Sequence, residues 1–424
     1  MRLSIWLSAG VIAGGLAGAP VGAQPAASPG SPPAALPSPA YETAGSITLR
    51  AALDAAWQRA VAARESQGQR RRAEADRTAA GSFWAAPPSL ELSHRNDRLQ
   101  SNAGRRETEI SVAVPLWLPG QKAARAGTAD AAAAQALAAE QVARLRLAGE
   151  LREAAWQLAA LQAEAAQAEI QIQALKQLAA DVERRVRAGD LARADLLAAQ
   201  AELLAASALQ SDVSQRLQAA RARWTLHTGL AATPDVSVEA LEGAPRPAAS
   251  HLELQLASQS TDLARKRVEL MRHSRRDAPE LTVGVRQDVP GRAESSQGSL
   301  VVGLRLPFGT DDRNRPLESA ALAELDVAET QELRLRERID SDIAAARNAQ
   351  RSAEAQLDAE KARARLLRER ASLIDKSFRA GETPLPDQLR AVAAAAQADS
   401  AVARQTAALG LARARLQQTL GLLP

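Results

Sequence analysis

Leu147, Leu151, Ala154, Leu158, Leu161, Ala165, Ala168, Ile172, Leu175, Ala179, Val182 and Val186 follow a strict 4-3-4-3 spacing, and all twelve are apolar. An apolar seam with a 3.5-residue period, kept over more than five heptads, predicts a helix built to lie along other helices. The helical pattern runs from Gly120 to Val186, a rod of roughly 100 Å at the α-helical rise of 1.5 Å per residue. A compact domain has no use for such a length; a structure that bridges a distance does. A second seam runs through Ile339, Ile343, Ala346, Gln350, Ala353, Leu357, Glu360, Ala364, Leu367, Ala371, Ile374 and Phe378, where only Gln350 and Glu360 break the apolar stripe. Alanine at many seam positions allows close helix approach.

Between the helical stretches the period changes to two. Ile110, Val112 and Val114 alternate with Glu109, Ser111 and Ala113, and Leu90 and Leu92 alternate with Glu91 and Ser93. Further along, Leu281, Val283 and Val285 alternate with Thr282, Gly284 and Arg286, and Leu300, Val302, Leu304 and Leu306 with Val301, Gly303 and Arg305. These segments predict two hairpins, at 88–116 and 280–307, with polar loops at Asn96–Arg106 and Gln287–Gln297. Each strand is long enough to cross a bilayer when tilted. Phe83, Trp84, Trp117 and Phe308 fall at the helix–strand junctions, the place for an interfacial aromatic belt. The other reading is a hairpin packed on the helices in water. Four strands cannot close a barrel, and lipid does not tolerate an open sheet edge, so transmembrane strands would require several chains to share one barrel.

The two seams and the two hairpins are copies. Pro115 and Pro307, Gly189 and Gly381, Asp195 and Asp387, Arg221 and Arg413, and Gly229 and Gly421 are each 192 residues apart. The expected layout is a first repeat at 47–232 and a second at 251–424, joined by a Pro-containing connector at 233–250. Each repeat reads as a helix (Thr48–Ala80 or His251–Arg276), a hairpin, a long helix, a tight turn and a shorter helix. The turns, at 187–190 and 379–382, carry Arg187-Ala188-Gly189-Asp190 and Arg379-Ala380-Gly381-Glu382. Gly189 and Gly381 can take positive φ between antiparallel helices, and Asp190 and Glu382 are expected to place an acid where the next helix begins, which favours negative charge. The second turn carries Pro384 and Pro386 where the first has Ala192 and Ala194, which makes it the stiffer of the two.

Composition narrows the class. Aromatic residues make up 2% of the 424, and the chain is dominated by residues that favour long helices. The 53 basic and 49 acidic side chains are interspersed; Arg70-Arg71-Arg72 reads as a solvated helix face, and no nucleic-acid partner is expected. Residues 1–23 read as a secretory signal peptide ending at Val21-Gly22-Ala23, with a Pro-rich linker at 24–46. Beyond it no apolar run reaches 18 residues. There is no cysteine, which excludes disulfides and thiol catalysis. His94, His227, His251 and His273 are scattered, Met271 stands alone, and no paired metal-ligand spacing occurs. With no nucleophile elbow, phosphate loop or dinucleotide fingerprint, neither enzymatic activity nor a cofactor is expected.

The tandem order of helix, hairpin, long helix, turn and helix resembles the TolC-like outer-membrane efflux proteins over nearly the whole chain after residue 45. The matching pieces are Val114-Pro115-Leu116-Trp117-Leu118-Pro119-Gly120-Gln121-Lys122, Leu306-Pro307-Phe308-Gly309 with Arg313-Asn314-Arg315, and the two Arg-Ala-Gly turns. The resemblance implies a mainly α fold with a small β part. It implies a homotrimer whose four strands per chain make a shared twelve-stranded barrel in the outer membrane, continued by an α-helical barrel in the periplasm. It implies that the two turns sit at the far periplasmic tip, six to a trimer, and meet a periplasmic adaptor protein joined to an inner-membrane pump. The entrance residues matching the family are Asp195, Asp387 and Arg390; Arg390 departs from the acidic pattern of some relatives, and an Asp–Arg latch between hairpins is the alternative. The 114–122 and 313–315 motifs look most like channels that serve resistance–nodulation–division pumps exporting heavy-metal cations. The competing reading, an exported periplasmic coiled-coil structural or adaptor protein without a pore, accounts for the heptads but gives no reason for matched hairpins flanked by aromatics.

Overall fold

The computed structural model describes residues 47–236 and 250–424; the segments read as a signal peptide and a Pro-rich linker, and most of the expected connector, lie outside them. The described residues form α1 (Leu49–Arg59), α2 (Val61–Gly81), β1 (Ser89–Asn96), β2 (Arg106–Pro115), α3 (Gln121–Ala188), α4 (Arg193–Thr228), α5 (Leu252–His273), β3 (Glu280–Val289), β4 (Gln297–Arg305), α6 (Asp311–Arg379) and α7 (Leu385–Thr419). The two long helices hold 68 and 69 residues, about 100 Å each at the α-helical rise.

The apolar seam does what its period predicts. Leu151, Leu158, Leu161, Ala168, Ile172, Leu175, Ala179 and Val182 of α3 are all buried. In the second repeat Ile339, Ala353, Leu357, Ala364 and Phe378 are buried, while Gln350 and Glu360 sit half-buried. α3 is the central rod. Its first half lies between α2, through Arg70–Glu140 and Arg77–Asp130, and α5, through Gln135–Ser260. Its second half lies between α4, through Arg216–Glu164 and Gln210–Glu169, and α7, through Arg152–Gln418 and Arg415–Glu153. α6 packs on α5 and then on α7, and it meets α3 at the turn end through Phe378 and Arg185. Leu317, Leu322, Val327, Leu333, Leu366 and Leu373 are exposed along it.

Thr48–Ala80 is not one helix. The chain breaks at Ala60, whose φ of −68° and ψ of 138° are extended. The break lets α1 drop Leu49, Ala52, Leu53 and Ala56 into a core with Ala148, Leu151, Ala155 and Trp224, while α2 runs on along α3. No glycine or proline marks it; the burial of α1 imposes it. Trp224 is 1% exposed and donates its indole N–H to Ala232 O at 3.0 Å, so its removal would cost about 3–5 kcal/mol. The helix expected over His251–Arg276 is also shorter. His251 is its N-cap, the Nδ1 accepting from Glu253 N–H at 3.2 Å, and it ends at His273 before Ser274.

The strands form one antiparallel sheet in the order β1-β2-β3-β4, with β1 and β4 as free edges. Each hairpin pairs as the alternation predicts, Leu90 opposite Val112 and Leu92 opposite Ile110. The ladder between β2 and β3 joins the two repeats, from Arg106 opposite Val289 to Pro115 opposite Glu280.

Candidate functional site

The two turns are the same structure. α3 closes with Gly189 at φ +91°, Gly189 N–H donating to Val186 O at 3.1 Å and Asp190 N–H to Arg185 O at 2.9 Å. α6 closes with Gly381 at φ +82°, Gly381 N–H donating to Phe378 O and Glu382 N–H to Ser377 O, both at 3.0 Å. This pair of bonds satisfies the last carbonyls of the helix and needs a left-handed residue, hence glycine twice. No atom lies within 4 Å of where a side-chain carbon on either glycine would stand.

The acids expected to open the next helices are displaced. α4 begins at Arg193 and α7 at Leu385, so Asp190 and Glu382 stay in the turns, Glu382 accepting from Ser377 Oγ at 3.4 Å. The first-turn acids are Asp195 and Asp387; Asp195 accepts from Ala192 N–H at 3.1 Å. An acid three residues into the helix reaches back to the free N–H groups, which one in the turn does not. Arg187 pairs with Glu183 at 3.8 Å and Arg379 with Asp375 at 2.9 Å, each on its own helix and each pointing outward. Arg390 pairs with Asp387 at 3.5 Å within α7, so inside one chain these two make no bridge between hairpins.

Both turns lie at one end of the molecule, because Ala179 and Val182 of α3, Ala199 of α4, Phe378 of α6 and Leu385 of α7 share one buried cluster. A tie that sequence reading missed joins the two halves there. The Arg185 guanidinium lies over the Phe378 ring at 4.9 Å and reaches Asp181 at 3.1 Å. Its sequence signal is faint: Phe378 is one of only three phenylalanines in the chain.

The sheet stands at the opposite ends of α3 and α6. One face carries Leu90–Val112–Val283–Val302 in one row and Leu92–Ile110–Val285–Leu300 in the next, each side chain 43–72% exposed. A continuous apolar face with no cover is rare on a water-exposed protein. The other face is polar: Arg286 bridges Glu107 at 3.1 Å and Glu109 at 2.8 Å. The four aromatics flank the sheet where it meets the helices. Phe83 and Trp84 meet edge to face with ring centres 4.5 Å apart, and Trp117 donates its indole N–H to Ser82 O at 3.1 Å. Phe83 and Phe308 are 76% and 86% exposed.

Arg152 is the other residue that sequence reading missed. It is 2% exposed and donates to Gln418 Oε1 at 2.8 Å and Leu422 O at 2.9 Å, tying α3 to the end of the chain. Among the described residues no helix is long and apolar enough to cross a membrane, and no three His, Cys, Asp or Glu side chains gather as a metal site.

A tandem α-helical rod that carries a four-stranded sheet with one apolar and one polar face is the fold of the TolC-like outer-membrane channels. The solved structures bear this out. VceC, an outer membrane protein of Vibrio cholerae, superposes with a TM-score of 0.68 at 16% identity, over 88% of this chain and 96% of that one. CusC, studied for transmembrane channel formation, gives 0.72 at 15% identity over 90% and 95%. The open state of the Neisseria gonorrhoeae outer membrane channel MtrE gives 0.70 at 14% identity over 88% of both chains. No protein-family model and no curated protein matches the sequence.

Proposed function

We propose that this protein is an outer-membrane channel of a tripartite efflux system, a passive conduit that catalyses no reaction. The observation that carries the reading is the uncovered apolar face of an open-edged sheet on helices about 100 Å long. Each free edge leaves unpaired N–H and C=O groups, which hydrocarbon does not accommodate, so edges of neighbouring copies pair and close a barrel. Three copies supply twelve strands, the apolar rows meet lipid, and Phe83, Trp84, Trp117 and Phe308 mark the inner membrane boundary. The rods then reach into the periplasm, and their tips present Arg187, Gly189, Asp190, Arg379, Gly381 and Glu382 to an adaptor, with Asp195, Asp387 and Arg390 beside the entrance. The adaptor joins an inner-membrane pump that supplies the energy. The motifs at 114–122 and 313–315 support a resistance–nodulation–division pump and heavy-metal cations as cargo, which a tunnel conducts without binding them.

Fractionation and single-channel recording test the reading. The protein is expected to need detergent, to run as a heat-labile trimer and to conduct in planar bilayers. A soluble, monomeric product would leave a periplasmic coiled coil as the answer. Photo-crosslinkers at Arg187 and Arg379, read by mass spectrometry, are expected to capture an adaptor and, through it, the pump.

A further inference from the structure

The strands carry four arginines, and three of them stand on the polar face of the sheet, each beside an acid. Arg95 is 3.8 Å from Glu107, Arg286 is 3.1 Å from Glu107, and Arg305 is 3.8 Å from Glu280. The fourth is Arg106. It opens β2 opposite Asn96 and Val289 and shares a side with Thr108, Ile110 and Val112, so it stands at the loop end of the apolar face. The acids of the strands, Glu91, Glu107, Glu109, Glu280 and Asp288, all fall on the other face. Among the described residues no acid lies within 4 Å of Arg106. Between Arg106 and the apolar rows runs a neutral polar row, His94–Thr108–Gln287–Gly298. In it His94 Nδ1 and Thr108 Oγ1 are 2.9 Å apart, and Gln287 donates to Ser296 Oγ at 3.0 Å. Gly298 has open space where a side chain would be, and a groove of about 410 Å³ runs from Thr108, Gln287 and Gly298 over Ile110, Val285 and Leu300. No Phe, Trp or Tyr occurs between Ser89 and Pro115 or between Glu280 and Arg305. The two ends of the apolar band therefore differ in chemistry, aromatic beside the helices and cationic beside the loops.

We propose that the loop end of the apolar face binds a phosphate-bearing lipid, its chains over Ile110, Val285 and Leu300, its headgroup along His94, Thr108 and Gln287, and a phosphate at Arg106. The proposal rests on the reading of this face as lipid-facing and adds the class of lipid and the residue that selects it. A guanidinium presents a fixed fork of donors that matches two phosphate oxygens, and no acid on its own face occupies that of Arg106. A charge costs a membrane barrel little at the boundary, where Arg106 stands, and much more at mid-depth. The neutral row beneath it offers donors and acceptors to the hydroxyls of a sugar. A bisphosphorylated disaccharide lipid, the lipid A of an outer leaflet, presents chains, sugar and phosphate in the order in which the face receives them.

Phosphatidylethanolamine vesicles holding equal parts of lipid A and its enzymatically dephosphorylated form test the site in the full-length protein. The oligomer is extracted in detergent, and native mass spectrometry counts the lipid that it keeps. The unsubstituted protein is expected to retain the phosphorylated form about tenfold over the other, and Arg106→Gln to bring the two near equality, the loss of one charge-assisted pair. Arg305→Gln, which removes a paired arginine of the polar face, is expected to keep the preference. Gly298→Leu fills the groove and is expected to lower retention of both forms; unchanged retention would remove the groove from the site. Millimolar inorganic phosphate is expected to displace neither form, and displacement by it would mean a bare anion site and overturn the lipid. A conducting oligomer that keeps both forms equally, or whose preference survives Arg106→Gln, overturns the proposal and leaves the channel reading standing. An unsubstituted protein that neither oligomerises nor conducts overturns both.

Discussion

Replacing Gly189 isolates one physical term. The residue holds φ +91° and no atom stands within 4 Å of the position a side-chain carbon would take, so a substitution there meets backbone strain and nothing else. An L-residue in the left-handed region costs about 1–2 kcal/mol, more when β-branched, and less for asparagine, whose side chain tolerates that conformation. A cost of that size raises the open population of the turn roughly 5- to 30-fold. The readout is hydrogen exchange at the Asp190 amide, which is held by Arg185 O at 2.9 Å. Gly189→Val is expected to speed it by that factor and Gly189→Asn by clearly less. Gly381→Val is expected to do the same at Glu382, because the second turn repeats the same bonds. Equal effects of Val and Asn, or no effect of Val, would refute the argument that positive φ is why the turn carries glycine. The adaptor would be expected to bind the Val variants more weakly, since their tips spend more time open.

Three further outcomes follow from other parts of the molecule. Arg152→Ala leaves Leu422 O and Gln418 Oε1 without their donor and should destabilise the fold by about 2–4 kcal/mol; an unchanged denaturation midpoint would show that the clamp is idle. Burial holds the His251 imidazole below its usual pKa, opposed by the Glu253 charge and a bond to the Thr419 backbone. The unfolded chain therefore takes up the proton first, so stability is full above the ordinary histidine value near 6.5 and falls as pH drops below it; His251→Asn, which keeps a capping acceptor, should flatten that fall in pH-dependent melts. Val112→Arg places a charge in the middle of the apolar face and should cost about 2–4 kcal/mol if that face meets hydrocarbon, seen as loss of trimer from the membrane fraction; normal assembly would place the face elsewhere.

Much of this architecture was legible beforehand because it is periodic. A seam from Leu147 to Val186 with no polar interruption can be buried only as a helix, and strict alternation from Glu109 to Val114 only as a strand. The 192-residue offset identified both turns before any geometry was known. What stayed hidden was aperiodic. The break at Ala60 has no local cause and comes from the pocket around Trp224 that receives α1. The helix-opening acids are Asp195 and Asp387, because the start of each helix depends on where the turn releases the chain.

By itself the sequence determined the repeat, the rods, the hairpins and the glycine turns, since each follows from spacing along one chain. Tertiary structure alone decided that β2 pairs with β3, that Arg152 is buried, and that Arg185 stacks on Phe378 across 193 positions. These contacts join residues far apart in the chain, and their energies depend on which rods lie side by side. No local pattern encodes that choice, because apolar seams on α3 and α6 could be covered by any helix of matching period.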